Sequence, residues 1–373
     1  MNFTDAGAAN STVTLTEVLQ PFSVSVNSAS NYTLTGAGSI TGTTGLTKSG
    51  AGALILQSAN TYAGVTTISG GVVELQNVAA LGTTAGNTVV AAGGQLSLQN
   101  IGDLAEPIAL NGTGVAGAGA IRNIAGAKTL TAPITLQSAS SIVNADAANA
   151  LTFGGTLGGS FGLTLSGPGT FVLSGSTANT NSSTTIQNTT VVLSKTVANG
   201  TVGGTVNIGD GVSPATLRLG VAEQIGNGAL VNVAANATFD LAGFAETIGS
   251  LAGAGTVTLG AGNLILNGTT TETFSGVISG GGSFTRQNGG TTILIGQNTY
   301  AGQTIIANAN SKIVLGVNDA LPVGTTVNFS GTTNVNVALD LNGKNQTIAA
   351  LISAANGAGT SYVQNDSGAG RRS

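Results

Sequence analysis

Apolar and polar residues alternate along this chain in short runs broken by glycine. Ser11–Glu17 reads STVTLTE, Phe22–Val26 reads FSVSV and Val231–Leu241 reads VNVAANATFDL. Period-two runs of roughly four to eight residues predict β-strands with one buried face. The segments between them are rich in Gly, Asn and Ser, as at Gly36–Gly38, Gly70–Gly71, Gly158–Gly159 and Gly280–Gly282, and predict turns. Helical periodicity is scarce. Leu75–Gly82 and Val221–Gly226 each have room for a single helical turn, and more would break the strand rhythm. The pattern is therefore all-β.

The strands recur in longer units. Leu46–Ile68 (LTKSGAGALILQSANTYAGVTTI) returns without a gap as Phe284–Ile306 (FTRQNGGTTILIGQNTYAGQTII), with NTYAG at Asn60–Gly64 and again at Asn298–Gly302. A partial third version, LTLSGPGTFVLSG, occupies Leu163–Gly175, and Phe239–Leu251 (FDLAGFAETIGSL) is echoed by Leu339–Leu351 (LDLNGKNQTIAAL). A sandwich or barrel of some thirty strands would be unusually large. A β-solenoid meets the same pattern more simply, stacking inward Leu, Val, Ile and Phe into a column and leaving Gly, Asn, Thr and Ser to corners and outer faces. At roughly 20–24 residues per coil, the chain would make about 15–18 coils, a rod of roughly 70–90 Å. We expect one elongated domain over residues 1–373, with 1–30 as an N-terminal cap or first coils and repeat copies near 45–75, 162–193 and 282–315. Leu54, Leu56, Phe171, Leu173, Leu294 and Ile306 are expected to point inward. Such a stack ends in open sheet edges that can pair with another copy; at the C-terminal end Tyr362 and Val363 read as strand, with Arg371 and Arg372 as charged gatekeepers.

Composition narrows the chemistry. Only 6% of residues are charged, the net charge is −4, and the chain has no Cys and no His. A Ser-His-Asp triad, a disulfide and a zinc site with His or Cys ligands are thereby excluded. Basic residues are scattered singly apart from Arg371-Arg372, so nucleic acid and anionic lipid are not expected partners. Met1–Asn10 has neither the positive nor the apolar region of a signal peptide, and no apolar run approaches the roughly 18 residues of a membrane helix. The segment is therefore not expected to insert into a membrane, and the chain reads either as cytoplasmic or as the mature part of something longer.

Fourteen carboxylates remain as acid–base candidates. Glycoside hydrolysis needs a pair of them about 5–10 Å apart. Asp103 with Glu106, and Asp240 with Glu246, are close in sequence, but their thin spread favours isolated solvated charges. Gly112–Gly117 (GTGVAG) matches a dinucleotide fingerprint, yet lies in no βαβ unit and in glycine this frequent the match is expected by chance. Asp210, between Gly209 and Gly211, reads as a turn residue. Tyr62 and Tyr300 hold the same repeat position and point to corner packing. Asn60, Asn188, Asn267 and Asn298 fall at or near turns, where stacked amides satisfy each other and the backbone. No catalytic, cofactor-binding or metal-binding residue is assigned, and no enzymatic activity is expected.

Gly45–Leu75 (GLTKSGAGALILQSANTYAGVTTISGGVVEL) resembles the passenger-associated transport repeat, also called the autotransporter-associated β-strand repeat, and Gly282–Leu315 holds most of the same pattern. The middle copy keeps the glycines at Gly167 and Gly169 and replaces the N-x-Y-x-G segment with Thr177–Ser183. The resemblance implies a right-handed parallel β-helix in a large bacterial protein that is secreted or displayed at the outer membrane. In autotransporters the passenger crosses that membrane through a C-terminal β-barrel of the same polypeptide; Ala349–Ser373 instead reads as the start of another coil. The implied function is a non-enzymatic structural or adhesive rod at the cell surface, with host or matrix glycans or proteins, or further copies of itself end to end, as partners. The alternatives are a subunit of a self-assembling filament or sheath, and a β-helix polysaccharide lyase or hydrolase.

Overall fold

The computed structural model describes residues 1–330, 336–353 and 360–366. It is all-β, built from parallel strands stacked coil on coil as a β-solenoid, and the chain divides into two compact units, Met1–Thr185 and Ile186–Ser373. Partnered residues lie roughly 18–26 positions apart in the sequence, one coil each.

In the first unit the chain winds over three faces. The first carries Asn2–Thr4, Val24–Asn27, Leu46–Ser49, Thr66–Ile68, Thr88–Val90, Ile108–Gly112, the start of Ile134–Asn144, and Leu157–Gly158. The second carries Thr12–Thr14, Tyr32–Thr35, Ala53–Leu56, Gly71–Leu75, Gly94–Gln99, Ile121–Ala125, the end of Ile134–Asn144, and Gly162–Ser166. The third begins with Val18–Leu19 and Ser39–Ile40 and closes with Lys128–Leu130, Ala150–Phe153 and Thr170–Leu173.

The second unit repeats the plan. One face runs from Thr205–Ile208 through Leu230–Val233, Ser250–Gly253, Thr271–Phe274, Thr291–Leu294, Lys312–Leu315 and Val337–Asp340 to Ser361–Gln364. Another stacks Glu246–Ile248, Leu264–Leu266, Phe284–Arg286, Thr304–Ile306, Thr326–Phe329 and Ala350–Ser353. The remaining face holds Thr190–Leu193, Ala215–Leu219, Ala237–Asp240, Thr256–Thr258 and Val277–Ser279.

Because the ladders keep register, apart from shifts after Leu98 and Leu110, alternation along a strand becomes columns across strands. Leu54 sits on Val73 and Leu56 on Leu75, and Val73 and Leu75 in turn meet Leu96 and Leu98. Leu54, Leu56, Phe171, Leu173, Leu294 and Ile306 are all buried, as the alternation required. Each such side chain contributes about 1.5–3 kcal/mol through removal from water. Phe153 and Phe171 stack with ring centres 5.9 Å apart. The glycines of the repeat frame are steric necessities at the corners. Gly50 has φ +72°, and a Cβ there would lie 2.5 Å from the carbonyl oxygen of Ser28 in the preceding coil.

Two features go beyond what the alternation specifies. Leu75–Gly82 and Val221–Gly226 contain turns and bridges and no helical turn; the only helical segments among the described residues are 3-10 turns at Asp5–Asn10 and Val115–Gly117. The middle copy also does not repeat the placement of the first. In the first copy the two strands span the corner from first to second face, whereas Gly162–Ser166 and Thr170–Leu173 span the corner from second to third. At the C-terminal end Ser361–Gln364 is a strand, and Leu351, Ile352, Tyr362 and Val363 are exposed. Arg371 and Arg372, expected to guard that end, lie outside the described residues.

Candidate binding surface

The interior polar groups are used to hold coils together. Asn60 accepts the Ile40 N–H at 2.9 Å and donates to the Ala80 carbonyl at 2.8 Å, so one amide joins three coils. Asn298 does the same with Ile278 at 2.8 Å and Ala320 at 2.7 Å. These two amides therefore serve the backbone of neighbouring coils and do not stack on each other. Direct stacking occurs at a pair the sequence reading did not single out: Asn123 donates to Asn144 Oδ1 at 3.0 Å, and Asn144 donates onward to the Thr170 carbonyl at 2.9 Å. Asn188, with φ +51°, and Asn267 lie at turns as expected. Tyr62 and Tyr300 are buried and share hydrogen bonds with Thr66 and Thr304 at 2.7 and 2.6 Å, a packing role; burial pushes both phenols up.

Three of the four buried cations among the described residues, Lys48, Lys128 and Arg286, have mainly carbonyl partners. Lys48 Nζ donates to the carbonyls of Ser49, Gly50 and Gly70 at 2.7–3.2 Å. Arg286, its counterpart in the second copy, donates to Leu266, Gln287, Gly268 and Thr270 at 2.6–3.4 Å. Lys128 donates to Asn123 Oδ1 at 2.6 Å and to the carbonyls of Ala125 and Gly126. Burial lowers all three, Lys128 to about 8 and Arg286 to about 10. The fixed place of Lys48 and Arg286 within the repeat was the available signal for this role.

The carboxylates do not form the pairs that sequence proximity suggested. Asp103 accepts the Thr129 N–H of the following coil at 2.8 Å, while Glu106 accepts from the Thr88 hydroxyl of the preceding coil at 2.8 Å. Asp240 faces outward and takes hydrogen bonds from Thr258 and the Ala242 N–H, with Arg218 3.5 Å away. Glu246 points inward and accepts the N–H groups of Gln224 and Ile225, both at 2.8 Å. The expectation of solvated charges is corrected at Glu106, Glu246 and Asp340, which are buried; burial raises the two glutamates to about 7 and about 8. Glu246 lies two residues before inward Ile248 in one strand, so the alternation itself places it inside. Asp210 accepts the N–H groups of Val212 and Ser213 at 2.8 Å, a turn as expected. Gly112–Gly117 leads from a strand into the 3-10 turn at Val115–Gly117, which offers no helix for a pyrophosphate. Among the described residues no cluster of three or more Asp and Glu is placed to hold a metal ion.

Outside, uncharged polar groups take the place of ion pairs. Gln57, Gln76 and Gln99 form a ladder over three coils at 2.9 and 2.5 Å. Thr190, Thr216, Thr238 and Thr256 stand in register in one column. Arg218–Asp240 and Lys312–Asp340 are the two ion pairs found among the described residues.

Two grooves indent the second unit. The first, about 620 Å³, is lined by Gln297–Ala301, Asp319 and Leu321–Gly324. Its polar side chains are largely engaged: Gln297 on the Asn318 carbonyl, Asn298 on Ile278 and Ala320, Tyr300 on Thr304, and Asp319 on the Thr347 N–H. The second, about 570 Å³, is lined by Asn227, Gly228, Leu230, Ser250, Asn267–Thr270, Glu272 and Asn288. It crosses four consecutive coils, and the side chains of Asn227, Thr269 and Glu272 make no hydrogen bond among the described residues. Sequence reasoning missed these residues because they meet only through coil stacking, without a shared motif.

No helix among the described residues is long and apolar enough to cross a membrane. Residues 46–75 and 284–309 match the passenger-associated-transport-repeat family. The chain is 30% identical over 273 residues, 71% of its length, to a protein described as "Adhesin BmaC autotransporter" from Brucella suis biovar 1 (strain 1330), and spans 7% of that protein's length. No solved structure shows significant similarity to it. The chain thus carries passenger-associated transport repeats at residues 46–75 and 284–309 and is similar, over most of its length, to part of an autotransporter adhesin.

Proposed function

We propose that this chain is a non-enzymatic adhesive passenger segment, secreted or displayed at the surface of a bacterium, that holds its partner through an extended uncharged polar surface. The observation that carries this reading is the division of polar groups. Inside, amides, cations and carboxyls are engaged mainly by backbone groups of their own and adjacent coils; outside, Thr, Gln and Asn lie in rows with only two ion pairs among the described residues. Rows of neutral donors and acceptors favour many weak contacts with a hydrated partner over one charged anchor. The adhesin relative supports the same reading.

Display of the chain on a non-adherent bacterial strain should raise attachment to cultured host cells and to matrix-coated surfaces above that of the parent strain. Pectins, glucans and glycosaminoglycans incubated with the purified chain should remain intact. Unchanged attachment would remove the adhesive reading. Reproducible polymer cleavage abolished by a single carboxylate-to-amide substitution would replace it with the lyase or hydrolase.

A further inference from the structure

The second groove of Ile186–Ser373 crosses successive coils and is lined mainly by hydroxyl and amide side chains. It runs from Asn227 across Ser250 and Thr270 to Asn288, so its long axis crosses the strands. Three strand-to-strand steps at about 4.8 Å make it about 14 Å long. An added peptide strand would lie along the coils and pair at a sheet edge, which this orientation does not offer. A pyranose polymer linked through opposite corners of its rings advances by nearly one coil spacing per sugar, so successive rings laid along the groove would lie over successive coils.

The lining is hydroxyl and amide, with one carboxylate. Ser250 and Thr270 share a hydrogen bond at 3.1 Å, and Asn288 donates to the Asn267 carbonyl at 2.9 Å, which ties adjacent coils together along the floor. Beneath it the Arg286 guanidinium holds the carbonyls of Gly268 and Thr270, fixing the turn that bears Thr269. Asn227, Thr269 and Glu272 are left with hydrogen-bonding capacity that no described residue uses. Polar groups converging in a groove of this kind offer fixed points of attachment for a hydroxyl-rich ligand. Glu272 is the one carboxylate of the lining and faces the Arg286 cation below the floor, so the groove carries no net positive charge to hold uronates or sulfated sugars.

We infer that this groove binds a linear, uncharged polysaccharide lying along the solenoid axis at about one sugar per coil. The inference rests on the adhesive reading and names the class of partner for one part of the surface.

The test uses the full chain with the β-1,4-linked tetramers of glucose and of N-acetylglucosamine as probes and tetragalacturonate as the acidic comparison, read by calorimetry and NMR. At least one neutral tetramer should bind while tetragalacturonate does not. The double substitution Asn227→Ala with Thr269→Ala should weaken binding at least about tenfold. Thr299→Ala, in the first groove, should leave it unchanged. All three positions are exposed, so circular dichroism should not move. Failure of both neutral tetramers to bind, preference for tetragalacturonate, or binding indifferent to the double substitution would each overturn the inference. Attachment of displaying bacteria is measured with the same variants. Attachment that persists while neither tetramer binds would sink the glycan groove and leave the adhesive reading standing.

Discussion

The coils matched by the repeat family and the related stretch at Leu163–Gly175 share an alternating frame but solve one corner differently. In the matched coils a cation from the coil's own strand, Lys48 or Arg286, turns inward and gathers corner carbonyls. In the middle copy that position is Leu165, fully buried, and the Thr170 carbonyl is taken by Asn144 of the preceding coil, which Asn123 in turn holds. The middle copy also lies one corner further round. An alternating run is thus indifferent to which faces it joins. The inward polar residues, chosen to suit the carbonyls each corner leaves open, distinguish one corner from the next.

The most disruptive way to break this distinction is Leu165→Lys, which places a cation where Asn144 already occupies the corner. An unpaired buried charge should cost about 3–5 kcal/mol, and hydrogen exchange should show the coils around residues 140–175 opening. A stability equal to wild type would mean that any corner can house the cation. Asn298→Ala removes the amide from Ile278 N–H and Ala320 C=O at once, and should cost about 2–3 kcal/mol, with faster exchange at Ile278. Arg286→Lys asks whether the matched coils are interchangeable. An ammonium can replace some of the four hydrogen bonds, so the loss should be about 1–2 kcal/mol in urea titration, and a larger loss would show that the guanidinium shape is required.

The last signal is a slope in pH. Glu246 takes backbone N–H groups from the preceding coil as Asn298 does, but it carries a proton that burial holds to about pH 8. The unfolded chain releases that proton near the ordinary value of 4.5, so over this window the folded state binds more protons. Its contribution to stability is highest below about 4.5 and falls as pH rises toward 8, by at most about 1.4 kcal/mol per pH unit. Glu106 adds a slope of the same sign up to about pH 7. Glu246→Gln should flatten the difference curve against wild type; identical pH profiles would show that the group is ionised in the fold.

The parallel solenoid and its apolar column were legible in the sequence because alternation and repeat spacing are local signals. Leu54, Leu56 and Leu294 needed nothing beyond their own strands. Glu246 was misread because carboxylates were assumed to be solvated, although its spacing from Ile248 already put it inside. The corner used by Leu163–Gly175 was not legible, because it depends on how many strands precede it in the winding. The groove from Asn227 to Asn288 was hidden for a related reason: its residues are brought together by coil length, and coils here vary in length.

Pairing between neighbouring coils has a consequence for how the chain acquires its structure. Within each unit the strand ladders close loops of roughly 18–26 residues, and loop-closure entropy grows only slowly with length. No strand has to wait for a partner synthesised hundreds of residues later. Once one coil exists, its open edge is a template that the following segment can zip onto, and each added coil presents the same template again. Assembly by such steps scales with the number of coils and keeps contact order low however long the chain becomes, which suits a fold that lengthens by repetition.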